Sequence, residues 1–194
     1  MLTKPYIRTA SGLDVTLALP TAEALHVRDI AAHLAKINRF NGATQTPYSV
    51  AQHSLLVAEL LQRRKLRAPV VLWGLLHDAH EAWLGDIATP VKRALFGPAT
   101  EPVASPFDDL ACRFDEVLRA KFHITLTTLE LREVRVADVT ALATEWRDLM
   151  QGPCPLAAVP THSFTVRPLP WHRAEEAFLN RFNQLARLCG LDPA

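Results

Sequence analysis

Four side chains with metal-binding or acid–base chemistry crowd into five positions of "GLLHDAHEAWL": His77, Asp78, His80 and Glu81. They directly follow the apolar run "VVLWGLL". Groups of this kind are costly to bury unless they are paired or hold a metal. Two further candidates interrupt apolar helical stretches: His53 in "YSVAQHSLLVAELL" and Asp138 in "VRVADVTALA". Imidazole and carboxylate together suit a divalent ion, and the lack of thiolates points away from a structural zinc. His53, His77, Asp78 and Asp138 are therefore the candidate ligands. Each has a plainer reading alone: His53 as a core histidine, Asp138 as a carboxylate paired with Arg135. The joint pattern carries the argument, because all three sites break apolar helical faces.

Three helices offering inward-facing ligands is an ordinary way to build a metal site in a bundle, and the sequence supplies the helices. Residues 5–19 read as a β-hairpin turning at Ser11-Gly12, inside an N-terminal unit of residues 1–20. "TAEALHVRDIAAHLAKINRF" has a helical apolar period at Val27, Ile30, Ala31, Leu34 and Ile37. It predicts a first helix that Arg39-Phe40 end. A second helix starts near Tyr48 or Ser49. A third covers "APVVLWGLLHDAHEAWL" and stops at Gly85-Asp86. Thr89 reads as an N-cap followed by Pro90 at the first helical position. The proline-rich "FGPATEPVASP" and "QGPCPLAAVPTHSFTVRPLP" read as loops. Helices are expected over "FDDLACRFDEVLRAKF", over "TLTTLELREVRVADVTALATEWRDLM" as one long helix or two, and from Trp171 to about residue 190. Trp73 and Trp83 are expected in the core. The fold class is mostly α, with a minor hairpin.

Composition narrows the function classes. The chain has 194 residues, 49% hydrophobic and 21% charged, with a net charge of +1. That is a folded single domain, and no basic stripe argues for a stable nucleic-acid partner. Three scattered cysteines (Cys112, Cys154, Cys189) form no pairs of metal-binding spacing, so a reducing cytoplasm is the expected compartment. Neither a signal peptide nor a membrane span is expected.

The order His53, His77-Asp78, Asp138 resembles the H…HD…D signature of the HD-domain metal-dependent phosphohydrolases. The combined "HDxxE…GDxxTPxK" pattern is similar to the bacterial 5′-deoxyribonucleotidase group and to phage deoxynucleotide phosphohydrolases. The likeness covers roughly residues 25–150. It implies an HD-domain-like helical bundle spanning 1–194, with the catalytic core at 25–150 and a C-terminal helix at 171–190. It implies a bound divalent ion (Co, Mn, Mg or Zn), a nucleotide substrate and a homodimer. It also implies that Glu81 handles a proton, on the nucleophilic water or on the leaving group, and that Asp78 serves the chemistry as well as the ion. Arg39 would orient phosphate and Phe40 would lie near the sugar, where the group more often has Trp. Asp86 and Thr89 would contact the nucleotide, while turn-forming and capping roles for them stay open. Lys92 could add positive charge or lie on the solvated face. His80, where the group has a small polar residue, reads first as a partly exposed histidine, with phosphate or a second metal as alternatives.

The expected function is phosphate release from deoxyribonucleoside 5′-monophosphates. Triphosphate removal from a deoxynucleotide is the alternative within the class, and a non-catalytic nucleotide-sensing module is the alternative outside it.

Overall fold

The computed structural model describes residues 5–97 and 105–193. Most of the "FGPATEPVASP" loop lies outside them. The N-terminal hairpin pairs β1 (Tyr6–Arg8) with β2 (Asp14–Thr16), antiparallel, with Ile7 opposite Val15. Gly12, at φ 86°, takes the left-handed turn position that only glycine occupies without strain.

Helix α1 (Val27–Leu34) is shorter than its apolar pattern predicts. The chain leaves it to go extended, so that Asn38 bridges Ser49 and the Arg39 N–H donates to the Tyr48 carbonyl at 2.9 Å. Arg39 therefore does not end the first helix. It opens a separate 3₁₀ segment, Arg39–Gly42, in which Phe40 and Asn41 hold φ of 56° and 51°. Each such residue costs roughly 1–2 kcal/mol.

Helix α2 (Val50–Arg63) starts at a Ser49 cap that accepts from the Gln52 N–H. It is the centre of the molecule, packed on α3 (Ala68–Leu76), α7 (Thr128–Leu149) and α8 (Trp171–Leu188). Val57, Leu61, Leu72, Leu75 and Leu76 are fully buried between them or nearly so. Each such side chain contributes roughly 1.5–3 kcal/mol. Helices α2 and α3 approach closely at Gly74, where a methyl group would run into Leu61. Arg67, before α3, makes a forked ion pair with Glu130 of the α7 capping box at 2.5 and 2.8 Å. Gly74 thus sets the approach of α3 to α2, and the Arg67–Glu130 pair ties the start of α3 to the start of α7.

The predicted third helix is interrupted. Residues 77–80 form a tighter turn with i→i−3 bonds, Ala79 to Leu76 and Glu81 to Asp78, before the short α4 (Glu81–Leu84). Gly85, at φ 78°, ends it. Helix α5 (Thr89–Phe96) is capped by Ala88, so Thr89 is its first residue and not its cap. Proline lacks an N–H, and either of the first two helical positions accommodates it. Helix α6 (Pro106–Lys121) has its own capping box from Ser105 and Asp108, and its Phe114 stacks on the buried Trp83. Among the described residues no helix is long and apolar enough to cross a membrane.

Candidate metal centre

The four predicted ligands meet at one point. His53 comes from the first turn of α2, His77 and Asp78 from the cap and turn that follow α3, and Asp138 from the middle of α7. His53 Nε2 lies 3.1 Å from Asp138 Oδ1 and 3.6 Å from Asp78 Oδ2. His77 Nε2 lies 3.2 Å from Asp78 Oδ2 and 3.9 Å from Asp138 Oδ1. Ligand atoms at about 2.1 Å from one divalent ion are roughly 3.0–3.4 Å apart in octahedral or tetrahedral shells. The cluster therefore has the size of a coordination shell.

The ring nitrogens are oriented as those of metal-ligating histidines are. His53 Nε2 and His77 Nε2 are buried, and although carboxylate oxygens stand 3.1 and 3.2 Å away, neither contact has the alignment of a hydrogen bond. Their partner nitrogens are both committed. His77 Nδ1 donates to the Gly74 carbonyl at 2.9 Å, and His53 Nδ1 meets Glu145 Oε1 at 2.7 Å. A neutral ring held through Nδ1–H presents the Nε2 lone pair, the arrangement of a metal-ligating histidine. Orphaned buried polar atoms are rare, and here two of them face the same carboxylates.

Glu145 is the residue that sequence reasoning missed. It is wholly buried and accepts from His53, from the Tyr48 hydroxyl at 3.0 Å and from Arg39 Nε at 3.2 Å. Its signal was readable: it lies two helical turns beyond Asp138 on the same face of α7, within a run of small, largely apolar residues. Glu145 thus ties the phosphate-grip candidate to a metal-ligand candidate.

The protein without an ion balances these charges with protons. Burial and the Arg39 charge push His53 down, but Glu145 and Asp138 outweigh them and raise it to about 9. Burial likewise opposes protonation of His77, and Asp78 and Asp138 raise it to about 9. A divalent ion would take the place of those protons.

Arg39 is buried, with Nη1 3.8 Å from Asp78 Oδ2. Its guanidinium lies 5.5 Å from the Phe40 ring, and that ring makes an edge contact with Trp146. Glu81 is buried as well, and its Oε2 has no partner. Burial first, then Asp78 and Asp86, push its carboxyl up to about 9. In the tight turn, side chains three apart eclipse, so Asp78 and Glu81 share an edge although the helix is broken between them. Asp86 is half-buried, and its carboxyl is raised by burial and by Asp78 against the pull of Arg39.

The other substrate candidates are less enclosed. Thr89 is exposed at the start of α5, and Lys92 sits over the Phe107 ring at 4.5 Å. The expectation for His80 is corrected. It is buried, not partly exposed, because its Nδ1 is held by Asp115 Oδ1 of α6 at 3.0 Å. The eclipsed turn points it inward.

The uncharacterized protein YfdR of Escherichia coli (strain K12) is 32% identical over 188 residues, which cover 94% of this chain and 97% of that protein. The chain belongs to the YfdR family. A second relative of the chain, the uncharacterized protein RCAP_rcc00048 of Rhodobacter capsulatus, is 46% identical over 92 residues, covering 45% of this chain and 47% of that one. No protein-family model matches. The likeness to YfdR spans nearly the whole chain, including the helices that carry His53, His77, Asp78 and Asp138.

Proposed function

We propose that this chain is an HD-type, metal-dependent phosphohydrolase that releases phosphate from deoxyribonucleoside 5′-monophosphates. One observation carries the reading: two unpartnered imidazole nitrogens converge with Asp78 and Asp138, beside the buried guanidinium of Arg39. His53, His77, Asp78 and Asp138 would hold the ion, whose contribution is Lewis acidity toward a phosphoryl oxygen and toward water.

The chain's own groups then divide the remaining work. Arg39 binds phosphate oxygens with its terminal nitrogens, while Glu145 fixes Nε and so fixes the direction of the fork. Glu81 moves a proton at Oε2. Its surroundings raise its pKa and a nearby ion lowers it, and a group pulled both ways suits proton exchange near neutral pH. Asp86 and Thr89 line the approach on the nucleoside side, with Phe40 near the sugar.

The test is a panel of deoxy- and ribonucleoside mono-, di- and triphosphates with Mg²⁺, Mn²⁺ or Co²⁺, products separated by chromatography. Deoxynucleoside and phosphate from the 5′-monophosphates are expected. Release of intact triphosphate would move the activity to triphosphohydrolase, and tight nucleotide binding with no product would leave a sensing module.

A further inference from the structure

Beside the four-ligand cluster, the turn at residues 77–80 gathers a second set of donors. Asp78, His80 and Glu81 each offer a ligand atom, and these atoms lie within 4.8 Å of one another. His80 and Glu81 are both buried. Glu81 also has a buried carboxyl oxygen, Oε2, with no hydrogen-bond partner. His80 carries the same orientation device as His53 and His77: its Nδ1 is held at 3.0 Å, here by the Asp115 carboxylate. That leaves Nε2 as the nitrogen free for a ligand, and a carboxylate–histidine pair is the usual support behind a metal-bound imidazole. Asp78 has a second oxygen to share, since its contacts with His53, His77 and Arg39 all run through Oδ2.

The surroundings are acidic: Asp78, Glu81, Asp86 and Glu145 all act on the buried guanidinium of Arg39, so a second cation would enter a carboxylate-rich site.

We propose that Asp78, His80 and Glu81 hold a second divalent cation, supported by Asp115, with Asp78 shared between the two ions. This rests on the reading of His53, His77, Asp78 and Asp138 as the first ion site. A pair of ions bridged by a carboxylate is a known clamp for the attacking and leaving oxygens of phosphoryl transfer. It would add positive charge beside Arg39 for an anionic substrate. Glu81 would give its other oxygen to this ion and keep Oε2 for the proton.

The test is Mn²⁺ binding to the full chain, freed of metal and titrated with Mn²⁺ alone. Calorimetry reads the stoichiometry, and electron paramagnetic resonance reads whether the ions are magnetically coupled. The parent should bind about two Mn²⁺ with a spin-coupled signal. His80→Gln should bind one and lose the coupling. Asp115→Asn should keep the first ion and weaken the second by roughly 10–100-fold. Both variants are checked for an unchanged helical signal, and the parent's coupled signal stands without them. One Mn²⁺ per parent chain at saturation, or two in His80→Gln, overturns the second site and leaves the first intact. No Mn²⁺ bound by the parent overturns both.

Discussion

Replacing Glu145 by glutamine keeps the shape of the side chain and removes one acceptor. Three donors converge on this carboxylate: His53 Nδ1 and Tyr48 Oη on one oxygen, Arg39 Nε on the other. An amide has one oxygen and one NH₂. With its oxygen toward His53 and Tyr48, the NH₂ opposes the Arg39 N–H. With the amide flipped, it opposes the His53 N–H. Either way a donor faces a donor in a fully buried site, and Arg39 loses its closest counter-charge. A lost hydrogen bond to a charged group costs about 1.5–3 kcal/mol. For a chain of this size each kcal/mol lowers Tm by about 2–4 °C, so Glu145→Gln should lower it by roughly 3–12 °C. The variant should also weaken the first ion, because His53 loses its orienting acceptor, by roughly 10–100-fold. Thermal denaturation by circular dichroism and Mn²⁺ competition against a chelator read the two effects separately. A variant with the parent's Tm and Mn²⁺ affinity would refute the role assigned to Glu145.

Glu81→Gln should lower kcat on the preferred nucleotide by about 10²–10⁴, the range of a lost acid–base group; parent turnover in steady-state kinetics would remove that role. Arg39→Ala should depress kcat and kcat/KM together, since phosphate orientation counts most in the transition state, whereas Phe40→Ala should change the ratio of deoxy to ribo turnover. Without an ion, His53 and His77 are raised to about 9, so their protonated forms stabilise the fold fully below about 6.5 and that contribution is lost as pH rises through about 9. Ion binding needs the neutral rings, so Mn²⁺ affinity should climb with pH up to about 9, with protons released on binding and counted by calorimetry in buffers of different ionisation heat.

The parts of the site that were legible in the sequence are those whose signal is local. His53 and Asp138 stand out because each interrupts an apolar helical face, and a divalent-ion ligand set follows from their types together with His77-Asp78. Arg39 was found by resemblance, but its position was misjudged: hydrophobic period continues through Ile37, while the backbone has already left the helix to pair Asn38 with Ser49. That bridge is a contact between segments, and periodicity does not report such contacts. The break at residues 77–80 was hidden for a related reason, because a turn tightened to i→i−3 bonds keeps the apolar pattern of the helix on either side. His80 was misread as partly exposed because Asp115, the residue that holds it, comes from a helix 35 positions away. Glu145 is a case of a visible signal not used, an acid in a run of small, largely apolar residues seven places after a ligand.

The left-handed residues after Arg39 also govern how the protein ages. Asn41-Gly42 is the dipeptide most prone to deamidation, because glycine leaves its amide nitrogen unshielded for attack on the asparagine side chain. Ring closure requires that nitrogen to swing beneath the carboxamide carbon, but at ψ 28° for Asn41 it points nearly opposite. The exposed loop is therefore protected by its backbone and not by burial. Conversion to isoaspartate, which adds a methylene to the main chain two residues from Arg39, has to wait for the segment to open. The slow appearance of that product in stored protein is accordingly a clock for opening of the 39–42 turn, readable by peptide mapping with no substrate or ion present.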